Sequence, residues 1–239
     1  MTLRLAMWSG PRNISTAMMR AWENRPDCVV VDEPFYACYL SETGADHPMK
    51  EAVIASQPCD WSIVAQQLTE GQATAEIFYQ KHMTHHMLPH VSLDWTPALR
   101  HCFLIRDPFE VVNSYRQKRD TVTVDDIGIV RQLELYEQIA NITGQLIPVI
   151  DAKRFLLAPQ KTLELLCEQL AIPFCNEMLS WPAGRRGSDG VWASHWYQAV
   201  EASTGFEPYL KREFDLTEQQ LEVVEQSRLS YEALEQYAL

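Results

Sequence analysis

Short apolar runs alternate with amphipathic stretches along most of this chain. Residues 3–8 are apolar enough for a buried strand, Gly10-Pro11 breaks it, and residues 16–24 follow as an amphipathic helix. Cys28, Val29, Val30 and Val31 predict a second strand that ends on Asp32 and Glu33, with Pro34 as the stop. Residues 75–81 predict a third strand leading into His82, Met83, Thr84, His85 and His86. Residues 101–105 are the clearest buried strand, with Arg106 at its end. Asp107-Pro108 then supplies an N-cap and first helical residue for a helix through Val111, Val112 and Tyr115. Residues 146–150 predict a fifth strand.

Between and after these strands the period changes to that of a helix. Residues 125–141 fit one helix, and Leu163, Leu166, Cys167 and Leu170 mark another by their i, i+3, i+4, i+7 spacing. Thr217-x-x-Gln220 is a capping box for a last helix reaching toward Tyr237. Residues 35–75 are irregular and read as short helices and loops over one end of the sheet. Strands alternating with helices predict an α/β fold: three layers, α/β/α, around a mostly parallel sheet of about five strands, P-loop NTPase-like. One domain spans residues 1–239, with 35–75 and 116–146 as insertions placed to line or cover a site. Such sheets bind ligands beyond the carboxyl ends of their strands. Those ends carry Arg12, Glu33, Lys81 with His82, and Arg106.

Composition narrows the classes. At 46% hydrophobic and 22% charged, the 239 residues are ordinary for a globular protein. No run approaches the roughly 18 apolar residues of a membrane span, and the first residues lack a signal-peptide pattern, so the expectation is a cytoplasmic protein. A net charge of −12 argues against a nucleic-acid or anionic-membrane surface. The six scattered cysteines form no C-x-x-C pair and read as reduced thiols. The oligomeric state leaves no signal.

Three segments carry the candidate chemistry. In the first, a strand, a tight polar turn and a helix place Arg12, Asn13, Ser15 and Thr16 where backbone N–H groups and a helix N-terminus meet an anion. An ordinary βα turn reads the same way, and the absence of Gly-Lys-Ser/Thr excludes a Walker A loop. In the second, Arg106 at a strand end and Ser114 two helical turns on can share a phosphate, although Arg106 could equally pair with Asp107 or Glu110. The third is Arg185-Arg186-Gly187, a basic glycine-flanked loop that lets backbone approach an anion.

Taken in order, these segments resemble the sulfotransferase family that uses 3′-phosphoadenosine 5′-phosphosulfate (PAPS). Pro11-Arg12-Asn13-Ile14-Ser15-Thr16 stands where the family has Pro-Lys-Ser-Gly-Thr-Thr. Arg106 to Tyr115 matches Arg-[Asn/Asp]-Pro-x-[Asp/Glu]-Val-x-x-Ser-Tyr, and Arg185 to His195 matches Arg-Lys-Gly-x-x-Gly-x-Trp-x-x-His. The chain departs at Ile14, where glycine is usual, and at Ala17, where many relatives carry an adenine-stacking tryptophan; Trp22 is a candidate for that stacking, with a core tryptophan on its helix the preferred reading. The resemblance implies that the first loop holds the phosphosulfate, with Arg12 in place of the lysine. It also implies that Arg106, Ser114, Arg185, Arg186 and Gly187 hold the 3′-phosphate.

By the same resemblance the activity is transfer of a sulfuryl group to a hydroxyl or amine of a small-molecule acceptor. Arg12 and Lys81 would neutralise the bridging oxygen, and no metal is expected. The spacing of His82, His85 and His86 suits a metal, but no carboxylate partner is evident. Glu33 and His82 compete as the base, with Glu33 preferred for its place at the end of the second strand. Aromatic residues Phe35, Tyr36, Tyr39, Trp61 and Trp95 are candidates for an acceptor pocket. Two other readings stay open: a P-loop-like small-molecule kinase or nucleotide hydrolase, and a non-catalytic protein that binds a 3′-phosphorylated nucleotide on the same fold.

Overall fold

The computed structural model describes residues 2–116, 121–211 and 214–239. Its centre is a five-stranded sheet built from β1 (Leu3–Ser9), β2 (Cys28–Asp32), β3 (Ile77–Met83), β4 (Arg100–Ile105) and β5 (Val149–Asp151). The order is β2-β3-β1-β4-β5, and every pairing is parallel. The chain therefore steps outward from β1 to β2, returns to β3 and crosses over β1 to β4. That reversal beside β1 opens a crevice at the carboxyl ends of the strands.

Twelve helices cover the described residues. The first four are α1 (Ser15–Glu23), α2 (Tyr36–Thr43), α3 (Lys50–Ser56) and α4 (Trp61–Glu70). The region expected as irregular thus holds three short helices. Next come α5 (Pro108–Arg116), α6 (Val124–Ile127) and α7 (Ile129–Thr143). Residues 125–141 read as one helix from spacing, but Gly128 adopts φ +71° and splits it into α6 and α7. Of the insertion predicted over residues 116–146, residues 117–120 lie outside the described residues. The remainder are α8 (Ala152–Leu157), α9 (Pro159–Gln169), α10 (Ala193–Trp196), α11 (Gln198–Ala202) and α12 (Glu218–Glu235). The Thr217 hydroxyl accepts from the Gln220 backbone N–H while the Gln220 side chain accepts from the Thr217 N–H, so α12 opens on a complete capping box.

Alternation along the strands sorts side chains into two apolar layers. Leu5 and Met7 of β1, with Ile77 and Tyr79 of β3, pack on one face with α1 and α9. Ala6 and Trp8 pack on the other with α5 and α7. Trp22 belongs to the first layer, fully buried and stacked on Tyr79 at 5.4 Å, so it is a core residue and stacks no adenine. Phe35, Trp61 and Trp95 cluster together in the second layer, which removes three of the five aromatics proposed for an acceptor pocket. None of the described helices is long and apolar enough to cross a membrane.

Candidate functional site

A cavity of about 340 Å³ lies at the carboxyl ends of β1, β2 and β3. Arg12 and Asn13 line it from the loop after β1, Ser15 and Thr16 from the first turn of α1, Glu33 from the end of β2, and Lys81 from β3. Tyr36 and Tyr39 of α2, His85, His86, Trp192 and Tyr197 close its other walls.

The loop after β1 is braced for an anion. Asn13 donates through Nδ2 to the Leu104 carbonyl and accepts the Ile14 N–H on Oδ1, so its side chain fixes the loop to β4. α1 then starts with no side-chain cap and no acidic residue in its first turn, leaving positive partial charge on its opening N–H groups. Arg12 takes φ +56°, a strained value for a residue with a side chain. Its Nε donates to Ser114 Oγ at 3.0 Å, and no described carboxylate pairs with it. Burial pulls the Arg12 guanidinium below its usual range, Tyr115 opposes that, and Arg106 adds to it. Arg106 supports the loop through a 2.8 Å bond from one terminal nitrogen to the Arg12 carbonyl, while its Nε pairs with Glu110 at 2.9 Å. The ion pair of Arg106 with Glu110, one of the two readings left open by the sequence, is thus present, and Ser114 meets Arg12 rather than Arg106.

Lys81 is the centre of a buried polar cluster. Its Nζ donates to Glu33 Oε1 at 2.6 Å, Tyr197 Oη at 2.7 Å and Asp32 Oδ1 at 2.9 Å, which uses all three ammonium protons. Burial opposes the charge, but Asp32 and Glu33 hold Lys81 well above the usual lysine range. Asp32 is saturated as well: it accepts from Lys81, from Tyr197 Oη at 2.7 Å and from the Gly190 N–H at 3.3 Å. Glu33 is different. Its second oxygen, Oε2, takes no hydrogen bond from the described residues and lies 3.9 Å from His86 Nδ1. Burial lifts the Glu33 carboxyl above the usual glutamate range, against the pull of Lys81. Glu33 also sits at φ +42°, while its N–H still pairs with the Lys81 carbonyl at 2.9 Å. A carboxylate with a raised pKa and one oxygen facing a cavity is suited to accept a proton.

His82 does not reach this cavity. The strand predicted to end at Lys81 runs on to Met83, so alternation puts Lys81 on the face of Tyr79 and His82 on the face of Trp8. His82 stacks on Trp8 at 4.4 Å, is 1% exposed, and is pushed down to about 3 by burial and then by His101. It is a neutral core histidine, and the expectation of His82 as a base is corrected. Arg185, Arg186 and Gly187 also stay outside the cavity, at the protein surface. Their loop turns back on itself: Asp189 accepts the Arg186 N–H at 2.8 Å, and the Arg186 side chain donates to the Pro182 carbonyl at 3.1 Å. An Asp189–Arg20 ion pair at 2.6 Å ties it to α1.

Spacing alone missed Tyr197, whose hydroxyl bridges Lys81 and Asp32 and accepts from Trp192 Nε1 at 3.2 Å. The one clue was its place just after the Trp192-x-x-His195 segment. Asp32 was in view beside Glu33 and the His85–His86 pair beside His82, but not as parts of one cluster around Lys81 and the Glu33 carboxylate. Among the described residues, no group of three or more His, Cys, Asp or Glu could hold a metal ion.

Comparison with known proteins shows the family of the chain and its fold. A sulfotransferase-domain profile matches residues 3–231. Two Arabidopsis thaliana proteins, named branched-chain-amino-acid aminotransferase-like proteins 1 and 2, are 35% and 33% identical over 199 residues. These matches cover 83% of this chain but only 36% and 35% of the two plant proteins. Among solved structures, the sulfotransferase domain from the curacin biosynthetic pathway superposes with a TM-score of 0.59 at 18% identity, covering 97% of this chain and 98% of its own. The Alicyclobacillus acidocaldarius sulfotransferase gives 0.61 at 12%, covering 100% and 98%. A mouse sulfotransferase complexed with PAP gives 0.54 at 12%, covering 99% and 89%. At these identities the structural likeness is one of fold.

Proposed function

Because the chain belongs to the sulfotransferase family, we propose that it moves a sulfuryl group from PAPS to a hydroxyl or amine of a small-molecule acceptor. The observation that carries this reading is the meeting of Arg12, which no carboxylate among the described residues pairs, and an uncapped helix start with the Lys81–Glu33 pair across one cavity. The first pair suits a phosphosulfate, the second a nucleophile that must lose a proton.

Sulfuryl transfer resembles phosphoryl transfer, in which positioning and charge stabilisation supply most of the rate. In this proposal the N–H groups at the start of α1, with Ser15 and Thr16, hold the donor's anionic end. Arg12, already desolvated and without a carboxylate partner among the described residues, takes the charge that grows on the bridging oxygen. Lys81 fixes Glu33 through Oε1 and leaves Oε2 to receive the acceptor's proton. Arg106 and Ser114 flank Arg12 and take the 3′-phosphate, with the surface loop of Arg185, Arg186 and Gly187 as a second contact from outside the cavity. PAP bound to a fold neighbour supports the choice of donor.

The test is thermal stabilisation by 3′-phosphoadenosine 5′-phosphate against ATP with magnesium and 5′-AMP. At a hundred times its dissociation constant a ligand adds roughly 2.7 kcal/mol to stability. The expected result is a rise with the bisphosphate that is lost in Arg12→Ala. A rise with ATP and magnesium alone would transfer the assignment to the kinase reading, and no rise with any of them would remove the donor site.

A further inference from the structure

Two carboxylates share the Lys81 ammonium, and the transfer described above uses one of them. Asp32 Oδ1 accepts from Nζ at 2.9 Å and Glu33 Oε1 at 2.6 Å, so a single nitrogen joins the two groups. Glu33 lines the cavity, whereas Asp32 does not. A second buried carboxylate carries a heavy desolvation cost unless charge and hydrogen bonds offset it. Hydrogen bonding tells the two acids apart. The Tyr197 hydroxyl has two lone pairs and one proton. Lys81 Nζ at 2.7 Å and Trp192 Nε1 at 3.2 Å can only donate, so they fill the lone pairs. The proton is left for a carboxylate, and Asp32 Oδ2 at 2.7 Å takes it in preference to Glu33 Oε1 at 3.5 Å. Asp32 Oδ2 also receives the Gly190 N–H at 3.3 Å. Each of these partners donates to Asp32, which holds it as the anion. Glu33 has one short bond, from Lys81, and an Oε2 that receives none from the described residues.

Charge gives the consequence. With both acids ionised, Lys81, Asp32 and Glu33 together carry one negative charge, and a proton arriving on Glu33 makes the cluster neutral. With Asp32 uncharged, the resting cluster would already be neutral. The same proton would then leave a buried ammonium without a counter-ion, which is strongly unfavourable. Glu33 paired with Lys81 alone is therefore a poor base, and the second acid corrects that. The other titratable groups facing Glu33 carry no charge. His86, in the turn after β3, is held well below the usual histidine range by burial and then by His85. Tyr36 of α2 is raised by burial and then by Glu33, and Tyr197 by burial and then by Asp32, so both keep their protons. Arg12, Asp125 and Asp126 complete the charged lining of the cavity.

Resting on the sulfotransferase reading, we propose that Asp32 is a positioning residue for the proton transfer: fixed by Tyr197 and the Gly190 N–H, it is the permanent counter-ion of Lys81 and so leaves Glu33 able to take the acceptor's proton. In the transfer, a lone pair of the acceptor's oxygen or nitrogen forms the new bond to sulfur. The bond between sulfur and the nucleotide's phosphate oxygen breaks, and its electron pair stays on that oxygen. The acceptor's proton moves to Glu33 Oε2, giving the sulfated acceptor and the 3′,5′-bisphosphate. Lys81 keeps its three protons throughout, because Asp32 still faces it when Glu33 is neutral. Asp32 touches no reacting atom and acts through Lys81.

The experiment titrates the Glu33 carboxyl in the full chain by carbon-13 NMR of protein labelled at glutamate Cδ, the resonance being assigned by its loss in Glu33→Gln. The expected result is a midpoint lower by about one pH unit or more in Asp32→Asn, because a neighbouring negative charge has gone. Tyr197→Phe disturbs the same cluster without changing its charge and should move the midpoint by less than about half a unit. Release of 3′-phosphoadenosine 5′-phosphate from PAPS, with water and with glycerol as acceptors, should show kcat roughly tenfold lower in Asp32→Asn and an unchanged KM for PAPS. A midpoint that stays or rises in Asp32→Asn would overturn the proposal. So would equal shifts in the two variants, which mark a loosened cluster, or a lowered midpoint with kcat unchanged. If Asp32→Asn does not fold, the same titration compares Lys81→Met with Lys81→Met/Asp32→Asn, where the same fall is expected and its absence is equally fatal. Failure of the parent reading looks different, because the wild type would then be neither stabilised by the bisphosphate nor able to release it from PAPS, whatever the Glu33 midpoint does.

Discussion

Lys81→Met removes the cation that contacts the buried carboxylates of Asp32 and Glu33 and leaves the rest of the cavity intact. The side chains of Lys81 and Asp32 are each 1% exposed and that of Glu33 is 11%, so water cannot take over the lost role. At contacts of 2.6 and 2.9 Å and an effective dielectric of about 20, each attraction is worth about 6 kcal/mol before desolvation. Removing the ammonium also recovers its desolvation cost, several kcal/mol, so the net loss expected for breaking such a buried pair is about 3–5 kcal/mol. For a domain of this size that corresponds to a melting temperature lower by roughly 10 °C. Equilibrium urea unfolding followed by tryptophan fluorescence measures it directly, with Asp32→Asn and the double variant completing the cycle.

The sign of the pH dependence is an independent check. Without Lys81, burial and the neighbouring carboxylate act on Glu33 unopposed. Its folded-state pKa then lies further above the unfolded value than it does in the wild type. A carboxyl raised in this way contributes stability that is present below the unfolded pKa and is lost as pH rises through the folded pKa. The Lys81→Met deficit should therefore shrink between pH 8 and pH 5.5. In the same background Asp32→Asn should be neutral or stabilising, because it removes a buried charge, whereas in the wild type it should destabilise. Additive effects within about 0.5 kcal/mol, or a deficit that grows on acidification, would refute the reasoning.

Four further outcomes follow from the same geometry. Arg106→Ala should weaken stabilisation by 3′-phosphoadenosine 5′-phosphate at least tenfold in apparent affinity while leaving the response to 5′-AMP unchanged, as read from titrated melting curves. Gly128→Ala combines φ +71° with a Cβ that would meet Pro11 Cδ at 3.2 Å; it should cost at least about 1 kcal/mol and weaken bisphosphate binding by moving the loop that carries Arg12. Thr217→Ala breaks the α12 capping box and should cost about 1 kcal/mol in urea unfolding with no change in ligand binding. Glu33→Gln should abolish transfer, and the stability it loses by breaking the Lys81 pair should shrink as pH rises from 5.5 to 8, because a carboxyl with a raised pKa loses stability as pH rises and the amide does not titrate.

The strands were legible because each is a short apolar run bounded by a breaker, and the parallel sheet followed from their alternation with helices. The residues at the strand ends were legible for the same reason, as polar groups placed where apolar runs stop. Which of them face the cavity was not. His82 changed sides because β3 continues two residues past Lys81, and in a strand each added residue alternates between the faces. Gly128 divided a helix whose apolar spacing runs through it unbroken. The Lys81 cluster joins residues 49 and 116 positions apart, and no local spacing encodes such a contact; it depends on the strand order. The loop of Arg185 and Arg186 looked like an anion clamp, yet the Asp189 carboxylate supplies its internal acceptor.

The two strained residues explain how three strands reach one point. β2, β3 and β1 lie side by side in that order, so their carboxyl ends are about 5 Å apart along the sheet edge. Lys81 is still within its strand and is held by hydrogen bonding to Asp32, Glu33 and Tyr197. Arg12 and Glu33 follow the outer two strands, and each turns the chain with a positive φ that costs on the order of 1–3 kcal/mol. Neither position is a glycine, although glycine would remove the strain, so the side chain must matter more than the backbone cost. The surrounding bonds hold each turn in place. Arg106 donates to the Arg12 carbonyl, Gln57 donates to the Glu33 carbonyl at 3.2 Å, and Lys81 accepts the Glu33 N–H through its own carbonyl. Strain at two residues is thus balanced by bonds from three other elements, and the result is a guanidinium and a carboxylate lining the same 340 Å³ cavity on either side of Lys81.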